Sequence, residues 1–193
     1  MESSFISSLL IALSVGFASG AIGAFIILRR MALVGDALSH VALPGIALAL
    51  LYGIDPLWGV WIFLIGAAVI VWWLEIKTTL PAEALVGLLF TASLAVGILL
   101  IPNNEIIESL FGEFPELSLP GLFLFIGAAF LLALFSFLFA RAFLFSLVSR
   151  DLARVEGLGA RYDLALFLIF ASVVALGIKL VGTLLMGALT IIP

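Results

Sequence analysis

The only histidine in the chain, His40, lies four residues after Asp36 in the stretch ILRRMALVGDALSHVALPGIALALL, Ile27 to Leu51. Residues four apart share one face of a helix, so a carboxylate and an imidazole would stand together there, with Ser39 beside them. Pro44 follows one turn later. It has no N–H to offer the His40 carbonyl and its ring pushes that oxygen aside; with Gly45 it is expected to kink the helix. Carboxylate, imidazole, hydroxyl and freed carbonyl are donors for a borderline or hard divalent cation such as zinc, manganese or iron(II). The absence of cysteine excludes thiolate ligands and disulfides. Asp36 and His40 are therefore candidate metal ligands on a pathway. Other uses stay open: Asp36 as a helix cap accepting a backbone N–H, His40 as an interhelical hydrogen-bonder, and Gly35, Pro44 and Gly45 as packing residues. Two side chains do not close a metal site, so a transient site completed by a second subunit or another helix fits better than a tight one.

These groups must be positioned inside a chain that is 65% hydrophobic and 10% charged, where soluble domains run at about 45–50% apolar and roughly 25% charged. The composition describes an all-α, polytopic membrane protein, in which an ionisable residue at membrane depth is a functional candidate by default. A hydrocarbon core requires about 20 apolar residues per helix. Spans are expected at Phe5–Leu28, Leu33–Tyr52, Leu57–Leu74, Ala82–Ile101, Leu119–Leu147 and Tyr162–Ile178. A last run, VGTLLMGALTIIP from Val181, is too short to cross unless it is re-entrant or continues. About six complete helices and the start of another result. Phe5–Leu28 is too long for a signal-peptide core and has no basic residue ahead of it, so it reads as a retained span.

Of the eight basic residues, Arg29, Arg30, Lys77, Arg141, Arg150, Arg154 and Arg161 fall on one side if the helices alternate, leaving Lys179 toward the other. The positive-inside bias then puts the amino terminus outside. PNNEIIESLFGEFPELSLPG becomes an outer loop carrying Glu105, Glu108, Glu113 and Glu116, and YGIDP a tight outer turn. Trp58 and Trp61 lie near the outer interface, Trp72 and Trp73 near the inner one. The net charge of −4 says little about partners when charges are so segregated. In the first helix Ala12, Gly16, Gly20 and Ala24 recur every four residues, a small-residue ridge suited to intrachain packing or a dimer seam. Pro81 and Glu83 mark a helix start.

The inner segment SLVSRDLARVEGLGARYD, Ser146–Asp163, alternates in charge through Arg150, Asp151, Arg154, Glu156, Arg161 and Asp163, and Gly157 and Gly159 end its helix-capable run. It reads either as a solvated loop or as a handle for a soluble partner.

GAIGAFIILRRMALVGDALSHVALPGIALAL resembles the amino-terminal signature of the integral membrane permeases of metal-type ATP-binding cassette transporters, the zinc, manganese and iron(II) uptake family. The similarity continues through PAEALVGLLFTASLAVGILL, through Asp151-x-Ala153-x-x-x-Gly157 and through VGTLLMGALTIIP, in order along essentially the whole chain. The resemblance implies a permease dimer, homomeric or heteromeric, in a bacterial plasma membrane. It also implies two cytoplasmic ATPase subunits docked on the 149–159 segment, including Asp151, Ala153, Arg154, Glu156 and Gly157, and an external metal-binding protein. Where the family pattern carries an acid this chain has Ser149. Family members continue into further spans, so the chain is expected to be the front portion of a permease, truncated at its carboxy terminus, and not to close a translocation path by itself.

The expected function is inward movement of a divalent metal by alternating access, with no catalysis and no bound cofactor in this chain, ATP being used by the partner. No phosphate-cradling G-x-x-x-x-G-K-[ST] loop occurs in the sequence. Membrane lipid surrounds the chain, and no nucleic-acid partner is expected. Two alternatives are a proton-coupled secondary carrier, with Asp36 and His40 relaying protons, and an intramembrane enzyme using them as acid and base, for which a nucleophile is missing.

Overall fold

The computed structural model describes residues 2–31, 33–100, 119–148 and 156–191. In chain order they form α1 (Glu2–Leu28), α2 (Leu33–Leu51), α3 (Pro56–Lys77), α4 (Ala82–Leu100), α5 (Leu119–Leu138), α6 (Ala140–Val148) and α7 (Ala160–Ile191). Six of them contain stretches long and apolar enough to cross a membrane: Ile6–Leu28, Val34–Leu51, Pro56–Lys77, Ala82–Leu100, Leu119–Leu138 and Ala160–Thr183. The described residues form an all-helical, multi-pass membrane protein, as the composition requires.

α2 and α7 are the centre. α2 packs on α3, α4 and α7, and α7 also packs on α1 and α3. The core joins Ile22 and Phe25 of α1, Leu38 and Val41 of α2, Leu64 of α3, Phe143 of α6 and Phe167 and Phe170 of α7. Phe123, Leu124, Leu88 and Leu99 point outward. Lipid tails solvate such groups as well as other side chains do, so close packing and polar contacts, more than water exclusion, must hold the helices together.

Helix ends follow local chemistry. At the end of α2, Gly53 takes φ 65°, and the Ile54 and Gly53 N–H groups bond back to the carbonyls of Ala49 and Leu50, a Schellman cap. Asp55 then caps α3 by accepting from the Leu57 N–H at 2.9 Å, with Pro56 at the first helical position. At the end of α1 the same pattern recurs: Met31 bonds to Ile26 and Arg30 to Ile27. Here the left-handed position is held by Arg30, at φ 61°, where a side chain is uncommon.

Two expectations are corrected and a third is narrowed to one of its alternatives. The single helix expected over Leu119–Leu147 is divided at Phe139 into α5 and α6; Phe139 packs edge-on to Tyr162 of α7, and α6 buries Ala142, Phe143 and Ser146. The small-residue ridge of α1 is not its intrachain face: Ala12 and Ala24 are exposed, a side chain added at Gly16 would meet nothing, and the close approach occurs instead at Gly23, against the Thr190 backbone. The run after Val181 continues α7 and breaks it at Gly182, at φ 71° and ψ −179°. Met186 then packs its thioether onto Gly177. Nine residues of straight helix would carry the two about 13 Å apart and to opposite faces, so the chain folds back at Gly182 and lays 183–191 against α1 and α2, the re-entrant alternative.

Candidate functional site

Asp36 sits in the first turn of α2. The helix begins three residues earlier, so Asp36 is past the cap position, and its charge faces the positive end of the helix dipole. Its carboxylate oxygen Oδ1 lies 3.9 Å from His40 Nε2. The spacing read from the sequence thus puts the two groups side by side.

Their surroundings differ. The Asp36 side chain is 53% exposed, whereas His40 as a residue is 8% exposed, its ring tilted against Phe90 of α4 with centroids 5.5 Å apart. Among the described residues, His40 Nδ1 is buried with no hydrogen-bond partner. A buried imidazole nitrogen normally has one, so this ring is held by packing, and Nε2, beside Asp36, is the nitrogen placed to meet a cation. At about 1.5 Å per residue, His40 lies roughly 10 Å along α2 from Leu33.

Ser39 does not contribute as its position suggested. It is fully buried, and its hydroxyl donates to the Asp36 carbonyl at 2.7 Å, a local bond available to any helical serine. α2 runs as one helix through Pro44. Gly45 is where α2 touches α3: a Cβ there would lie 2.3 Å from the Gly59 carbonyl oxygen. On α4, Gly97 closes against Leu43 and the Pro44 nitrogen, so both sides of α2 are sealed just beyond His40. Gly187, on the folded-back end of α7, packs directly on Asp36. No cluster of three or more His, Cys, Asp or Glu occurs among the described residues.

At the other candidate region, Asp151, Ala153 and Arg154 lie outside the described residues, as do Ser149, Arg150 and the acidic loop with Glu105, Glu108, Glu113 and Glu116. Glu156 and Gly157 form an exposed turn, Gly157 at φ 71°. A third feature had no signal in the sequence beyond a basic residue at a helix end. Arg29, just past α1, pairs with Asp163 in the first turn of α7 and donates to Ser146 Oγ of α6 at 2.6 Å. The Trp72 indole of α3 donates to the Ala160 carbonyl at 2.6 Å. These contacts bring the ends of α1, α3 and α6 and the start of α7 to one end of the bundle.

A model of the ABC 3 transport family matches residues 1–193. The chain belongs to the ABC 3 transport family. This bears out the resemblance carried by GAIGAFIILRRMALVGDALSHVALPGIALAL and VGTLLMGALTIIP. The manganese transport system membrane protein MntC of Listeria monocytogenes is 34% identical over 100% of this chain and 71% of its own length. The manganese import system permease protein ScaB of Streptococcus parasanguinis is 30% identical over 97% of this chain and 69% of its own. The high-affinity zinc uptake system membrane protein ZnuB of Haemophilus influenzae is 28% identical over 96% and 74%. Among solved structures, PsaBC from Streptococcus pneumoniae in complex with Fab superposes with a TM-score of 0.77 at 30% identity, covering 97% of this chain and 70% of that one. The ABC 3 fold is therefore the scaffold that sets Asp36 beside His40.

Proposed function

We propose that the chain is the permease subunit of an ATP-driven importer for a divalent metal ion, manganese(II) or zinc(II), with Asp36 and His40 as its ligands on the path. The observation that carries this reading is the 3.9 Å pairing of an open carboxylate with a buried imidazole whose second nitrogen has no described partner. Relatives named as manganese and zinc permeases support the cargo. Two ligands are too few to hold an ion tightly, which suits a site that must release it; a second permease subunit presenting the same pair would double them. Alternating access, in which that pair opens first to one side and then to the other, follows as the mode of action. Hydrolysis of ATP belongs to separate cytoplasmic subunits docked on the 149–159 segment, and an external metal-binding protein delivers the ion. The chain forms one transmembrane domain with that segment as its coupling element.

Vesicles containing the assembled importer test the reading. Metal accumulation is expected only with ATP and the ATPase subunits, and to survive an uncoupler; collapse with the uncoupler alone would favour a proton-coupled carrier. In the same vesicles Gly157→Pro is expected to cut accumulation at least tenfold while hydrolysis continues, because proline is fixed near φ −65° and this residue stands at φ 71°. Unchanged accumulation by this variant would remove the segment from the coupling role.

The positive-inside bias supports a cytoplasmic position for the bundle end with Arg29, Lys77 and Arg161 and an outer amino terminus, and the bacterial relatives support the plasma membrane. The natural absence of cysteine permits single-cysteine labelling. Position 108 is expected to react with an impermeant reagent in intact cells and position 154 only after permeabilisation; the reverse pattern would invert the topology.

A further inference from the structure

We propose that Arg29 is a positioning residue for transport: a strut that gathers both ends of the 149–159 segment and passes their displacement to the first turn of α2, where Asp36 stands. The proposal rests on the importer reading above. Ser146 lies three residues before that segment and Asp163 four residues after it. Both bind the same guanidinium nitrogen, Nη2 of Arg29. The chain therefore enters and leaves its coupling element through contacts to one side chain of α1.

The cluster is sheltered, with the Arg29 side chain 9% exposed and that of Asp163 18%, and the second guanidinium nitrogen, Nη1, is buried without a described partner. A sheltered ion pair is poor evidence for stability, since apolar residues of similar volume often serve a fold as well or better. What it gives is directional restraint between three elements, α1, α6 and α7.

The connection from Arg29 to Asp36 is short, and the described residues on either side of position 32 are tied together. The Schellman bonds from Arg30 and Met31 fix the turn, and Val34 bonds back to Met31 at 3.0 Å. Met31 and Val34 are buried in the main core. Arg30 at φ 61° holds a left-handed conformation that glycine normally occupies, so the turn is kept in one shape by its surroundings. A shift of Asp163 or Ser146 is passed to α2 through the Arg29 side chain and the Val34-to-Met31 bond. At its far end α7 again meets Asp36, through Gly187, so the helix that begins beside Arg29 also ends on the candidate ligand.

The test is the number of metal ions accumulated per ATP hydrolysed in vesicles carrying the assembled importer, with manganese(II) and then zinc(II) as probes. The neutral pair Arg29→Met with Asp163→Asn keeps side-chain size close to wild type and removes both charges. It is expected to leave hydrolysis and thermal stability near wild type and to lower the ratio at least tenfold. Ser146→Ala is expected to lower it about threefold, and Arg29→Lys to restore part of what Arg29→Met loses. A wild-type ratio in the neutral pair would make the cluster a structural staple and overturn the proposal; should that pair not assemble, a wild-type ratio in Ser146→Ala does the same. Wild-type vesicles report separately on the importer reading. Without ATP-dependent accumulation in them that reading falls and the strut with it, whereas wild-type accumulation with unchanged variant ratios removes the strut alone.

Discussion

His40→Leu is expected to abolish metal accumulation by the assembled importer while leaving the folded complex intact, a loss of at least a hundredfold against a change in stability of about 1 kcal/mol or less. The two halves of this expectation come from the same geometry. The imidazole is buried against Phe90, and its Nδ1 has no described partner. A buried polar atom without a bond costs about 1–3 kcal/mol, so leucine, which fills similar space without one, removes a penalty as well as a ligand. A histidine that served packing alone would give retained transport. Asp36→Asn separates charge from shape. Asparagine still fits against Gly187 and can occupy a helix first turn, but it binds a divalent cation more weakly than a carboxylate does. Accumulation should fall at least tenfold, with partial recovery at high metal concentration. Uptake and melting temperature of both variants, measured side by side, decide the matter, and full uptake by His40→Leu would return the site to packing.

Much of the fold was legible because a bilayer imposes a length and a polarity on each helix. Asp36 and His40 were legible for a related reason: in a chain so poor in ionisable groups, two of them one turn apart stand out against the background. What escaped the sequence depends on contacts between distant residues. Arg29 was visible as an inner-side charge, but a basic residue at a helix end looks the same whether water or a carboxylate satisfies it, and its partner Asp163 is 134 residues away. The division at Phe139 leaves no proline or glycine signature; i to i−4 bonds from Phe139 and Phe143 carry the chain through it, and the ring that Phe139 meets, Tyr162, lies on another helix. The ridge of α1 misled because spacing identifies a face without saying which neighbour it meets, and α1 turns Ile11, Val15, Ala18, Ile22 and Phe25 to the core instead. Gly182 was one glycine among eighteen, and its φ of 71° is a property of the folded-back chain.

Gly59→Val is expected to cost the protein most of its folded yield, whereas Gly66→Val, seven residues along the same helix, should be nearly silent. A Cβ built on Gly59 falls 2.0 Å from the Gly45 carbonyl oxygen and 2.6 Å from its carbonyl carbon; one built on Gly45 falls 2.3 Å from the Gly59 oxygen, while Gly66 has nothing within 4 Å. The obstructing atoms at Gly59 are backbone, so no rotamer change makes room and α3 must move away from α2 as a body. Overfilling a well-packed site typically costs about 1–3 kcal/mol; with rigid backbone on both sides the upper end or beyond is expected here. Membrane helices gain little from apolar surface as such, so the close approach lost at this crossing is not recovered by burying valine elsewhere. Because α2 carries Asp36 and His40 while being sealed by Gly97 on its α4 side, displacing α3 also disturbs the candidate site, and any surviving Gly59→Val protein should transport poorly. The detergent-purified variants can be compared by melting temperature and by the fraction that remains monodisperse. Equal behaviour of the two would mean that α2 and α3 do not meet backbone to backbone at Gly45 and Gly59.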